Sequence, residues 1–196
     1  DLFGLKMFLT ASDGNDIESP LFFARNSKII RSKCKNLSRK KDNSHNRKRA
    51  RLELARAYKK ISNCRKDFHF KTALNICREY AIVCLKNLNL KGMQKIWGRK
   101  INDLGFYNFI KILEYEAFEH GTKIIFIDRF YPSSQICSEC GYKNSELKDL
   151  KIREWECPKC GTKHNRDRNA AKNILRVGAS TLRVDNVRPV LSGICR

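Results

Sequence analysis

Apolar or small residues recur at Ala50, Leu54, Ala57, Ile61, Cys64 and Phe68, at spacings of 4, 3, 4, 3 and 4. That period places them on one helix face, with basic residues covering the outer faces. Asp42-Asn43-Ser44 interrupts the basic run, and Ser44 is placed to cap the helix that follows. The pattern predicts two antiparallel helices over residues 27–41 and 44–79. Ahead of them, residues 5–12 read as a strand and Asp13-Gly14 as a hairpin turn. Residues 17–23 then return as the partner strand, with Pro20 marking an edge or a break.

Residues 80–85 (Tyr-Ala-Ile-Val-Cys-Leu) form a continuous apolar run, as expected of a buried central strand. Residues 87–92 read as a loop. Residues 104–119 carry helical apolar positions at Phe106, Phe109, Ile110 and Leu113, and Gly121 is placed to stop that helix. Residues 123–128 predict a second buried strand, ended by Pro132-Ser133-Ser134. Residues 166–177 predict a last helix, and the final twenty residues show no period and read as a loose tail. The order is hairpin, two helices, strand, helix, strand, cysteine-rich insert, helix. It predicts a mixed α/β layer with helices against a central sheet.

Charge narrows the class of partner. The 196 residues carry 41 Lys+Arg against 20 Asp+Glu, a formal net charge of +21. Between Arg25 and Lys71 there are 18 Lys+Arg and only three acidic residues, Asp42, Glu53 and Asp67. Such a field attracts polyanions, and nucleic acid is the expected partner. An anionic membrane surface is the competing class, but it needs a basic amphipathic segment with exposed Trp, Phe or Leu, and no terminal segment reads that way. No apolar run reaches 18 residues, and no signal peptide is visible. The expectation is no membrane partner and a cytoplasmic, nucleoid-associated protein of bacterial or archaeal type. Arg39, Lys40, Lys41, Arg47, Lys48, Arg49, Arg51, Arg56, Lys59 and Lys60 are the candidate nucleic-acid contacts. Tyr58, Phe68, Tyr131 and Trp155 offer rings for base stacking, though packing explains each more simply, and Trp155 is expected to brace the cysteine module.

Nine cysteines suggest a metal site more than a secreted scaffold. Five (Cys34, Cys64, Cys77, Cys84, Cys195) are scattered, and Cys77 and Cys84 read as small core residues. The other four form Cys137-Ser-Glu-Cys140-Gly141 and Cys157-Pro-Lys-Cys160-Gly161, with 16 residues separating Cys140 from Cys157. Each C-x-x-C presents two thiolates to one tetrahedral ion, and the glycine after each pair permits the backbone angles of that turn. Two disulfides or a redox pair are the alternatives. A duplicated turn without a secretory signal favours a closed, structural Zn²⁺ site. His164 is near in sequence but is not needed as a ligand.

Longer stretches carry a resemblance. Phe130 to Gly141, Arg153 to Gly161 and His164 to Leu175 resemble the C-terminal part of TnpB, the OrfB-type proteins of insertion sequences. So do Leu88 to Met93, Asn46 to Lys71, and Gly4-Leu-Lys through Ser12-Asp-Gly14, so that the likeness covers almost the whole chain. The resemblance implies an RNase H-like (RuvC-like) mixed sheet with flanking helices and an inserted zinc ribbon. It implies RuvC-like segments at 1–130 and 164–178, with the basic helical pair near 25–79. The ribbon would occupy 131–163 and a tail 179–196. Active members are RNA-guided DNA endonucleases related to small type V CRISPR effectors, so DNA and a guide RNA are the implied partners. Recognition domains precede the first RuvC motif in such proteins; this sequence opens at about that motif, so they are expected to lie outside it.

A RuvC-like site uses three carboxylates to hold two divalent ions that activate water and stabilise the leaving oxygen. Asp167 in Arg-Asp-Arg-Asn-Ala-Ala matches the last of them, and also suits a helix N-terminus. The family's Glu-Asp pair before Leu-Asn-x-Lys-Gly-Met is here Lys86-Asn87. A lysine cannot ligate Mg²⁺; it is expected to pair with Asp167, standing where the metal's charge would be. In the family one residue separates the first Asp from Gly-Leu-Lys, which puts Leu2 at that position; Asp1 serves only through a one-residue slip that turns a strand side chain to the other face. The expected function is nucleic-acid binding, RNA-guided, with a degraded nuclease site. The alternatives are an active Mg²⁺-dependent, RNA-guided endonuclease, for which Glu79 is the nearest upstream replacement carboxylate, and a non-enzymatic RNA- or DNA-binding module or transcriptional repressor.

Overall fold

The structure, a computed structural model, describes residues 2–3, 7–149 and 151–184. A three-stranded antiparallel sheet opens the chain: β1 (Leu2–Phe3), β2 (Met7–Thr10) and β3 (Ile17–Glu18), in that order. Asp16 closes the β2–β3 turn by accepting the Ala11 N–H at 3.0 Å. The returning strand is only two residues long, because the chain passes Pro20 and enters α1 (Phe22–Ser38). The buried carboxylate of Asp103 explains the early start. Both its oxygens lie 2.8–2.9 Å from the Phe23 N–H, one of the orphan donors at a helix N-terminus.

α2 (His45–Glu79) follows, and the expected cap is present: Ser44 Oγ accepts the Arg47 N–H at 3.2 Å. Ala50 and Ile61 are buried toward α1, but Cys64 is exposed, contrary to the heptad-like reading. A straight helix drifts off a 3.5-residue repeat. Past Ile61 the inward line therefore passes to Arg65, Phe68, His69, Thr72, Ala73 and Ile76. Arg65 is tolerated there because its guanidinium meets Asp103 at 3.3 Å.

β4 (Ile82–Lys86) pairs in parallel with β5 (Lys123–Ile127), from Ile82 opposite Lys123 to Lys86 opposite Ile127. Between them run α3 (Leu90–Leu104), kinked at Gly98, and α4 (Phe106–His120), stopped by Gly121. α3 begins inside the segment expected to be a loop. Asn89 Oδ1 caps it by accepting the Gly92 N–H at 3.0 Å, a signal masked by Asn, Gly and Lys in the sequence. The main core joins Phe8 and Leu9 of β2, Ala73, Ile76 and Cys77 of α2, Val83 and Leu85 of β4, and Phe106, Phe109 and Leu113 of α4.

The cysteine module contributes the antiparallel pair β6 (Glu154–Glu156) and β7 (Lys163–Asn165). α5 (Arg166–Val184) then crosses both parallel strands, running past the expected end at 177. Ile174 is fully buried with Cys84 and Ile127. At Gly178 an added Cβ would overlap the Cys84 Sγ and lie 2.9 Å from its Cβ, so only glycine permits this approach. Among the described residues, no helix is long and apolar enough to cross a membrane.

Candidate functional site

The two C-x-x-C turns have the same backbone. Cys137 N–H donates to Tyr142 O at 2.8 Å and Gly141 N–H to Cys137 O at 3.0 Å; Cys157 N–H donates to Thr162 O at 2.9 Å and Gly161 N–H to Cys157 O at 2.8 Å. Gly141 and Gly161 take φ of 75° and 70°, the left-handed region that a Cβ disfavours. The turns face each other, and all four sulfurs lie within 4.8 Å of one another. Cys137 and Cys160 sulfurs are 3.7 Å apart, Cys140 and Cys157 sulfurs 3.6 Å. A tetrahedron with 2.3 Å zinc–sulfur bonds has edges of about 3.8 Å. The residues therefore fit a four-thiolate ion without rearrangement and leave it no open position. The Thr162 hydroxyl, 3.3 Å from the Cys160 sulfur, and then the Thr162 backbone amide lower that thiol's pKa. At Cys140 the lowering by the Tyr142 amide is outweighed by burial and the three neighbouring sulfurs, which raise it, so the four thiols do not ionise alike.

His164 was not needed as a ligand, and its ring lies beside the site: Nε2 is 3.1 Å from Cys137 Sγ. The Nε2-protonated tautomer donates to that sulfur, as outer partners of metal thiolates do. Its ring packs on Trp155, centroids 4.8 Å apart, and Trp155 joins Leu147, Cys137 and Cys157 in a small core. Trp155 thus braces the module, as expected.

Lys86 ends β4, and α5 passes over β4 and β5, its first turn sending Arg168 to Asp16 of the β2–β3 turn at 3.5 Å. Gly178 lies against Cys84 and Ile125, Ile174 against Ile127, and Asn173 reaches Ser133, past the end of β5. Asp167 lies about 10 Å further along the helix than Ile174. Its carboxylate does not pair with Lys86. Oδ2 meets Arg153 Nη1 of β6's approach at 2.9 Å, while Lys86 Nζ donates to the Tyr131 carbonyl at 2.7 Å. Each cation takes the acceptor its own backbone brings near: the β6–β7 pairing carries Arg153 to the start of α5, and the bend after β5 turns the Tyr131 carbonyl over Lys86. Burial lowers the Lys86 pKa, and Asp128 opposes that shift. Asp128, Tyr131 and Arg153 carried no sequence signal for this position. Asp1 lies outside the described residues.

Glu79 ends α2 at the other end of β4, a strand that runs about 13 Å from Ile82 to Lys86. There Asn15 Nδ2 donates to Glu79 at 3.3 Å, to Asp13 at 3.1 Å and to the Tyr80 hydroxyl at 3.0 Å. This polar cluster rims a cavity of about 570 Å³ between the β2–β3 turn and β4.

The basic helices separate braced cations from available ones. Arg47 holds the α1–α2 turn, donating to Lys40 O at 3.0 Å and pairing with Asp42 at 3.0 Å. Arg49 pairs with Glu53 at 3.8 Å. Lys40 is half-buried, while Arg39, Lys41, Lys48, Arg51, Arg56, Lys59 and Lys60 are exposed. Phe68 packs edge-on to Phe8 and Tyr131 lies in the small core under α5, so both serve packing; Tyr58 is 44% exposed.

A mixed α/β layer with helices on its faces and a four-cysteine ribbon joined to its last helix defines the class. Comparison identifies the family. The family model described as "Probable transposase" matches residues 2–97, and that described as "Cas12f1-like, TNB domain" matches 106–174. The Streptomyces pristinaespiralis protein named "Putative RNA-guided DNA endonuclease" is 35% identical over 95% of this chain and 46% of its own length. The TnpB-like protein L79 of Acanthamoeba polyphaga mimivirus is 29% identical over 89% of this chain and 36% of its own. Among solved structures, a chain of the Cas12f1–sgRNA–target DNA complex superposes with a TM-score of 0.59 at 21% identity, covering 88% of this chain and 47% of that one. The chain belongs to the TnpB/OrfB-type family. It spans about half the length, or less, of the relatives it matches.

Proposed function

We propose that this chain is the RuvC-like, RNase H-fold and zinc-ribbon portion of a TnpB-like protein that binds DNA under RNA guidance with a degraded nuclease site. The carrying observation is the end of β4. Lys86 stands at the position where the family resemblance places a metal-binding Glu, and its ammonium is tied to the Tyr131 carbonyl. Asp167, at the last carboxylate position, is covered by Arg153. The Lys86 ammonium and the Arg153 guanidinium on Asp167 each disfavour a divalent ion at the position they occupy and each attract a phosphate. Asp167 would ligate Mg²⁺ only in an active site, and the ribbon's four thiols would hold a structural Zn²⁺. RuvC-like segments at 1–130 and 164–178, flanking a ribbon at 131–163, accord with this reading. The Cas12f1 relative was solved with sgRNA and target DNA, and the exposed cations of α1 and α2 offer a matching polyanion surface.

The test is oligonucleotide and plasmid cleavage by the complete protein with its co-purifying RNA, in Mg²⁺ or Mn²⁺. The expected result is guide-dependent binding without cutting. Cutting that disappears in Asp167→Ala refutes the degraded site. Binding whose affinity is indifferent to salt refutes the phosphate-dominated surface.

A further inference from the structure

α5 is attached to the cysteine module twice. At its start the chain passes directly from β7 into the helix. Arg166 N–H donates to Arg153 O at 2.7 Å, and Asn165 Oδ1 accepts the N–H groups of Asp167 and Arg168 at 3.1 and 3.2 Å. The buried Arg166 guanidinium donates to the carbonyls of Asp149 and Ile152. This attachment joins α5 to the half of the module that carries Cys157 and Cys160.

The second attachment reaches the other half. Asn169, Asn173 and Arg176, spaced four and three apart, share one helix face. Asn169 Oδ1 accepts the Ser138 N–H at 2.8 Å, and its Nδ2 donates to Ile136 O at 2.7 Å. Those two backbone groups flank Cys137. Asn173 Nδ2 donates to Ile136 O at 2.6 Å and Ser133 O at 2.9 Å, and Arg176 donates to Ser138 O. Asn169 and Asn173 are 2% and 0% exposed, so these bonds do not exchange freely with water.

The two knuckles are thus bridged by the helix as well as by whatever ion the four sulfurs hold. Together the paths form a closed ring: α5, β7, the Cys157–Cys160 turn, the ion, the Cys137–Cys140 turn, and back to α5 through Asn169. Asp167 lies between the two attachment points at 165 and 169. Removing the ion opens the ring, and the Cys137 turn then rests on the helix without the restraint that holds it opposite its partner turn.

We infer that Asn169, supported by Asn173 and Arg176, is a positioning residue through which metal binding at the four cysteines fixes the first turns of α5 and hence the Asp167 carboxylate. The metal reading of the preceding section underlies this inference. It adds that the ion's effect extends past the ribbon into the main layer, by way of the two asparagines.

Hydrogen exchange read by mass spectrometry on the full chain tests it, zinc-loaded and then stripped by chelator under reducing conditions. Amides of residues 166–176 should exchange about tenfold faster after stripping, while residues 68–77 of α2 keep their protection. Asn169→Ala should release zinc to a chromogenic chelator about tenfold faster than the wild type, its Co²⁺ spectrum still that of four thiolates. Unchanged protection of 166–176 in a chain shown to have lost bound zinc overturns the coupling and leaves the metal site standing. A chain that takes up neither zinc nor Co²⁺ overturns both. Should Asn169→Ala fail to fold, the wild-type exchange comparison decides alone.

Discussion

His69 gives this fold an acid-sensitive point whose size follows from its surroundings. The ring is 1% exposed, packed against Phe8 and Phe109 at centroid distances of 5.7 and 5.6 Å. Nε2 lies 2.9 Å from the Leu104 carbonyl, which selects the tautomer with its proton on Nε2. Burial is the main reason that its pKa falls from 6.5 to about 4; the Leu104 carbonyl works the other way and Arg65 adds to the fall. A base with a depressed folded pKa binds more protons unfolded than folded between the two values. Stability is therefore complete above about pH 6.5 and is lost as pH falls toward 4. The loss is about 2 kcal/mol by pH 5 and about 3 kcal/mol below pH 4. Urea unfolding by far-UV circular dichroism, compared with His69→Gln, isolates it. A glutamine amide can donate to Leu104 O but does not titrate, and acid release of metal affects both proteins alike. The stability difference between wild type and variant should narrow by about 2 kcal/mol from pH 7.5 to pH 5. Parallel pH profiles would refute the buried neutral imidazole.

Gly178→Ala should destabilise by about 1–3 kcal/mol in urea melts, because the new methyl overlaps Cys84, and Cys84→Ala in the same chain should recover part of the loss. Arg65→Met strands the Asp103 carboxylate, whose side chain is only 7% exposed; stability should fall by roughly 2–4 kcal/mol, and Asp103→Leu added to it should recover part of the loss, the Phe23 N–H then losing its acceptor. Equal stability of Arg65→Met and wild type would show that Asp103 needs only the Phe23 N–H. Arg47→Ala should cost about 1 kcal/mol through the lost α1–α2 brace. Lys59→Ala should leave stability unchanged and lower the salt slope of nucleic-acid binding by about one. Arg153→Ala should change stability by less than about 1 kcal/mol, since that pair is half exposed.

Where one local signal set an element, it was legible. The Ser44 cap, the positions of β4 and β5, the Gly121 stop and the duplicated cysteine turns all act within a few residues, and each stands where the pattern put it. The expected burial of the strands in a central sheet does not hold: β4 and β5 form a two-stranded pair, and of β5 only Ile127 is buried. Features set by distant partners were not legible. α1 starts early because Asp103, 80 positions away, satisfies its first turn. Cys64 turns outward because α2 changes the neighbour it faces, from α1 to α4. Asn169 and Asn173 are polar positions that no local pattern marks for burial, and the docked ribbon covers them. Lys86 and Asp167 could be matched to the family by sequence, but their partners could not. Tyr131 and Arg153 reach them through a bend and a strand pairing that no linear spacing encodes.

The two ends of β4 show how one fold sorts charge. At its start, Asp13, Glu79 and Tyr80 share Asn15, and the Tyr80 hydroxyl itself bonds Asp13. Carboxylates there meet neutral donors, and the desolvated Tyr80 phenol is pushed up to about 12. At its finish, Lys86 meets the Tyr131 carbonyl, and at the start of α5 Arg153 meets the Asp167 carboxylate, each an acceptor that holds a cation in place. A divalent ion bound by Asp167 must displace Arg153. A phosphate would meet that guanidinium directly. On the proposed reading, with Lys86 at a family carboxylate position, metal capture is the step lost and attraction for a nucleic-acid backbone the property kept. If the Cys₄ ion holds α5 as inferred, the ribbon metal would then set where the Asp167–Arg153 pair stands in that proposed binding.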